Sequence, residues 1–159
     1  MTPLLKEARS RLEETLLAAF PDLQGVYLFG SAASGAPRED SDVDLGLLLP
    51  PGGLPPDPWK LGETGARLEG ILGRPVDLVD LRRADTVFRH QVGSTGRLLL
   101  VRDRRATGEF EMLTLSFYQK LNEERREILE EIRRTGRVVH DRRRGAEQEG
   151  ERGVLRAPD

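Results

Sequence analysis

Gly30-Ser31, ten further residues, and then Asp42-Val43-Asp44 make up the constellation whose residue types and spacing could do chemistry in this 159-residue chain. Successive side chains of a strand alternate faces, so Asp42 and Asp44 share one side while Val43 and Leu45 take the other. Two carboxylates on one face suit a hard cation. Magnesium prefers near-octahedral oxygen ligands and shares itself between one or two carboxylates and substrate phosphates. A Gly-Ser turn between a strand and a helical segment offers orphan N–H groups with partial positive charge, which attract phosphate without a lysine. Glycine lets the backbone approach closely, and the Ser31 hydroxyl adds a donor that can rotate. The pattern therefore reads as a holder of a nucleoside triphosphate with two magnesium ions, Gly30 and Ser31 on the phosphates, Asp42 and Asp44 on the metal. Two such ions can stabilise the attacking and leaving oxygens of an in-line displacement.

A third carboxylate is needed to hold the ion on the attacking side and to receive the nucleophile's proton. Asp77 and Asp80 are candidates, and their spacing of three places them on opposite faces of a strand, so only one of them joins the site. Asp77 lies within the apolar run Val76 to Val79, where an acid without a metal or partner is costly. It is the expected third ligand and base. Asp80 is assigned to a turn or an arginine pair.

The elements that must position these residues follow from periodicity. Leu4, Leu5, Ala8, Leu12, Leu16, Leu17 and Phe20 recur at helical spacing until Pro21. Gly25 to Phe29 reads as a buried strand, Ser31 to Gly35 as a helical turn, and Val43 to Leu49 as a second strand ended by Pro50-Pro51-Gly52-Gly53. Leu61, Leu68, Ile71 and Leu72 stripe a second helix with Gly73 as its cap and Trp59 as its anchor, and Arg74 to Asp80 is a third strand. A short helix from Thr86, on which His90 caps or packs, and an edge strand Arg97–Val101 come next. A long helix from Thr107 to about Arg134 then carries Phe110, Leu113, Phe117, Leu121, Ile128 and Ile132. Its first part is expected to cover the sheet. Ile128 and Ile132 lie beyond, which favours association with a partner or a second copy, a homo-oligomer through this helix. Tyr27 and Tyr118 read as packing residues.

The expected fold is α+β, a mixed sheet flanked by helices, with a core over 1–103, a helical extension over 104–140 and a polar tail over 141–159. Charged residues are a third of the chain yet nearly cancel to −2, so nucleic-acid binding by bulk charge is not indicated. There is no cysteine and only two histidines, which removes disulfides and thiolate or zinc chemistry and leaves oxygen as the metal donor. No window approaches a membrane span and the N-terminus is unlike a signal peptide, so a cytoplasmic protein is expected.

Gly30-Ser31 with Asp42-Val43-Asp44 and a distal Asp77 resembles the minimal nucleotidyltransferases of the DNA polymerase β-like superfamily. The stretches Gly73-Arg-Pro-Val-Asp-Leu-Val-Asp-Leu81, Phe88-Arg-His-Gln-Val92, Gly96-Arg-Leu-Leu99 and Phe110-Glu111 with Tyr118 narrow the resemblance to the MntA-type antitoxins, over roughly residues 10–120. The resemblance implies a Mg²⁺-dependent transfer of AMP from ATP to a tyrosine of a HEPN-type toxin, a ribonuclease, with Asp42 and Asp44 on both metals and Asp77 on the catalytic one. This chain has Ala32 and Ser34 where the family commonly carries arginines, and Arg38 stands in the following loop. Two other readings stay open: nucleotidyl transfer to a small molecule such as an aminoglycoside, and a non-catalytic antitoxin that neutralises by binding.

Overall fold

The computed structural model describes residues 6–33 and 41–136. Four strands form one mixed sheet: β1 (Gly25–Phe29), β2 (Val43–Leu48), β3 (Val76–Asp80) and β4 (Arg97–Val101), in the order β3-β2-β1-β4. β1 pairs antiparallel with β2 and β4, whereas β2 and β3 run parallel. A parallel pair needs a crossover rather than a tight turn. That crossover is α2 (Pro58–Leu72), and α1 (Arg9–Ala19), α3 (Thr86–Thr95) and α4 (Arg104–Thr135) complete the helices. The expected mixed sheet flanked by helices is what forms.

Strand alternation sorts the side chains. Val26 and Leu28 of β1 and Val43, Leu45 and Leu47 of β2 point to one face, where Leu12 and Leu16 of α1 and Leu68 and Leu72 of α2 bury them. Tyr27 and Leu48 point to the other, with Leu81, Val92 of α3 and Phe110 of α4 packed against them. The acids at 42, 44 and 77 have the parity of this second face.

Local rules set the helix ends. Asp57 caps α2 through the Trp59 N–H, and Asp85 caps α3 through the Phe88 N–H. Asp103 accepts the Ala106 N–H at the start of α4. Gly73 ends α2 in the left-handed region at φ 66°, as its sequence position suggests. Trp59 corrects an expectation: it is 79% exposed in the first turn of α2 and anchors nothing. Its backbone N–H meets the cap, which points the indole away from the core.

The chain divides into two units, Met1–Tyr118 and Gln119–Asp159. In the first, α4 buries Ala106, Thr107, Phe110 and Thr114. Leu113 and Phe117, expected to face inward, are exposed. The reason is Gly25, whose missing side chain lets the Thr107 methyl sit where a Cβ would stand, so the buried face runs through Thr107, Phe110 and Thr114. Tyr27 is buried as expected, donates to Glu111 at 2.8 Å, and has its ionisation pushed strongly upward by burial and then by that carboxylate. His90 stacks on Tyr118 with centroids 3.7 Å apart, fastening α3 to α4. In the second unit Ile128 and Leu129 are exposed, and Ile132 is partly covered. The expected polar tail, like Arg38, lies outside the described residues.

Candidate active site

The parallel register of β2 and β3 sets Asp44 directly beside Asp77, and the antiparallel register of β1 sets Phe29 on the other side of Asp44. Neighbouring strands lie about 4.8 Å apart, so the two carboxylates are side by side on one face. Asp42 stands just before β2 and is exposed, as is Asp77, while Asp44 is half-buried. The Asp44 carboxyl is held above its ordinary pKa first by burial, then by the charges of Asp77 and Asp42. All three acids expected from the sequence are thus near enough to repel one another. Among the described residues they do not amount to a closed cage of three protein ligands. The arrangement is an open acidic face, and a cation bound there would relieve the repulsion.

Asp77 reaches this face for a reason other than the expected one. It is not buried in an apolar run, because β3 is an edge strand and residue 77 is open to solvent. Parity and register, not desolvation, place it. Asp80 pairs in register with Leu47 and points its carboxylate at the turn, accepting the Arg82 N–H at 3.0 Å and lying 3.3 Å from Arg83 Nε.

Gly30 opens a four-residue 3₁₀ turn, Gly30–Ala33, at φ 72°, a left-handed conformation that side chains rarely adopt. A Cβ added there would run into the Asp44 carboxylate oxygen. Backbone and acid are in contact, so whatever Asp44 holds is presented to the turn that carries Ser31. Ala32 is 2% exposed and belongs to the core under α1, so the turn is built around a small side chain where the family commonly carries an arginine. Ser34 falls outside the described residues.

Sequence reasoning missed an aromatic wall. Phe29, the register partner of Asp44, meets Phe88 of α3 edge-to-face at 5.3 Å. The signal was present in the parity of residue 29 and in the Asp85 cap that orients α3.

Gly30→Ala is expected to lower activity by about 10-fold and to cost about 1–2 kcal/mol of stability, from the left-handed backbone and the contact with Asp44. Parallel thermal melts and turnover assays check it. Wild-type values in both would show that the turn tolerates a side chain.

The order of these parts, strand, Gly-Ser turn, acidic strand and third acid on a parallel neighbour, is matched over residues 13–105 by the family model described as Polymerase beta, Nucleotidyltransferase. The chain belongs to this family. This nucleotidyltransferase is 36% identical over 112 residues, 70% of its own length and 78% of the other's, to the protein adenylyltransferase MntA of Shewanella oneidensis. It is similar in structure to a chain of a toxin-antitoxin crystal structure with AMP-PNP, at 35% identity and a TM-score of 0.64, covering 77% of this chain and 96% of that one. A third relative comes from the complex of the tri-AMPylated Shewanella oneidensis HEPN toxin with the MNT antitoxin, at 31% identity and a TM-score of 0.62, covering 80% and 97%.

Proposed function

We propose that the chain is a Mg²⁺-dependent protein adenylyltransferase that moves AMP from ATP to a tyrosine of a HEPN-family toxin and so acts as its antitoxin in the cytoplasm. The observation that carries this reading is the convergence of Asp42, Asp44 and Asp77 on one sheet face with Gly30 in contact with Asp44. The likeness to MntA and to the antitoxin bound to an AMPylated toxin supplies the acceptor class. The catalytic core is taken as residues 1–103 with 104–140 as an extension, and no helix among the described residues is long and apolar enough to cross a membrane.

The donor set fits magnesium: carboxylate oxygens only, on an open face with room for phosphate oxygens to complete the coordination. Bound magnesium would neutralise the triphosphate and the charge that develops on the leaving pyrophosphate. The remaining work falls to the chain. Gly30 and Ser31 hold the phosphates against the β1 end, and Asp42 and Asp44 are the residues that would hold the magnesium beside them. Asp77 takes the proton of the tyrosine hydroxyl as its oxygen bonds to the α-phosphorus and the bond to pyrophosphate breaks, a role worth about 10²–10⁴-fold in rate. Positioning and charge complementarity account for most of the acceleration in such transfers.

Toxin incubated with this protein, ATP and Mg²⁺ is expected to gain one or more AMP masses on a tyrosine and to stay inactive after separation. Mass spectrometry of the separated toxin decides. An unmodified toxin that regains full ribonuclease activity on dissociation would favour neutralisation by binding alone.

A further inference from the structure

At the opposite end of the β2/β3 pair from the acids, the Pro50-Pro51-Gly52-Gly53 loop and the turn after β3 enclose a 330 Å³ pocket lined by Asp80, Arg82, Arg83 and Arg89. The acids sit on the second residue of β2 and of β3, and Asp80 lies three residues further on, about 10 Å along the strand. Three guanidinium groups and one carboxylate line the pocket, and Glu109 is a further acid close enough to act on Arg82.

The three arginines are held alike. Arg82 donates through Nε to the Leu49 carbonyl and through Nη2 to Gln24 Oε1, each within 2.9 Å. Arg89 donates through Nε to the Ala84 carbonyl and through Nη2 to the Arg82 carbonyl, both at 2.8 Å. Arg83 sets Nε against Asp80 and Nη2 on the Gly53 carbonyl. Each therefore keeps Nη1 without a partner among the described residues. Fixing a guanidinium by two of its nitrogens removes most of its rotamer freedom, so the third nitrogen is a donor oriented in advance.

We infer that this pocket binds a phosphate monoester dianion through the Nη1 groups of Arg82, Arg83 and Arg89. A phosphoryl group offers three oxygens to the three Nη1 donors where a carboxylate offers two, and a dianion answers the excess of arginine over carboxylate in the lining. Crowding supports the assignment: the Arg82 guanidinium has its pKa lowered first by burial and then by the neighbouring charge of Arg89, and Asp80 and Glu109 offset only part of this. The pocket's volume admits a nucleoside monophosphate as well as free phosphate, and the source is distinguishable by titration.

The test uses the full-length protein in EDTA, where the acidic face has no divalent ion with which to hold phosphate. Orthophosphate and AMP are titrated separately by calorimetry, with the arginine Nε–H resonances followed by NMR. Binding with Kd of about 1 mM or tighter is expected. Arg83→Gln is expected to weaken it by about 10-fold through loss of one charge-assisted contact. Asp42→Asn, at the far end, is expected to bind as the wild type does. Equal affinities for the two probes would assign the site to the phosphoryl group alone, and tighter AMP binding would assign it to a nucleotide. Arg89→Lys, which keeps the charge but loses the braced Nη1 donor, should weaken binding too. No binding up to about 10 mM, far weaker than charge-assisted recognition predicts, would overturn the proposal. So would wild-type affinity in Arg83→Gln, or silence toward phosphate with clear binding of an oligo-glutamate peptide.

Discussion

Asp44→Asn is expected to do two opposite things at once, abolishing transfer while making the metal-free protein more stable at neutral pH. The loss of activity should be at least about 100-fold if Asp44 holds the cation as proposed. The gain in stability follows from its raised pKa, caused by burial and by Asp77 and Asp42. A carboxyl whose folded pKa exceeds its unfolded value contributes fully to stability below the unfolded pKa, and the contribution is lost as pH rises through the folded one. Asn carries no charge and escapes the loss. With a half-exposed group the effect is modest, a rise in Tm of about 1–3 °C near pH 7 that disappears below the ordinary carboxylate range. Asp42→Asn should match the loss of transfer. Thermal melts across pH beside a turnover assay check both, and retained transfer in the double variant would remove the two acids from the chemistry.

The second large effect separates two acids that the sequence sets three apart. Asp77→Asn is expected to abolish transfer, since Asp77 is the register neighbour of Asp44 on the acidic face. Asp80→Asn should leave most of the activity and instead cost about 1 kcal/mol, because its carboxylate serves the Arg82 N–H and the Arg83 guanidinium. Both variants assayed with one acceptor and one thermal scan give the answer. The reverse ranking would move the third carboxylate to Asp80.

The placement of Asp77 beside Asp44 and of Asp80 in the turn is legible in the residue spacing, although burial in an apolar run is the wrong reason for the first. Strand parity is a local property, so the shared face of Asp42 and Asp44 and the separation of Asp77 from Asp80 follow from the chain alone. Whether β3 is central or at an edge depends on strand order, which no local pattern carries, and the expected burial of Asp77 fails there. The same limit explains α4. Its large apolar residues suggest an inward stripe through Leu113 and Phe117, but the buried face is chosen by Gly25, which lies on β1 and lets Thr107 come close. Trp59 shows the limit of composition. A tryptophan after a proline looks like an anchor until the Asp57 cap fixes the direction of the first turn. The arginine pocket is invisible in the sequence for a related reason, since the arginines gathered by the turn after β3 line a pocket only where the loop after β2 lies beside them.

The parallel pairing of β2 with β3 also fixes an order of assembly. β1 and β2 form an antiparallel pair close in sequence, which brings Gly30 against Asp44 as soon as they meet. Asp77 arrives only after α2 has carried β3 back alongside β2, a connection about twice as long and about 0.6 kcal/mol costlier to close. On a ribosome, a chain that has emerged only as far as α2 holds two of the three acids of the face and lacks Asp77, the carboxylate proposed as the base. Competence to modify a partner therefore waits at least for the emergence of β3, about half-way along the chain.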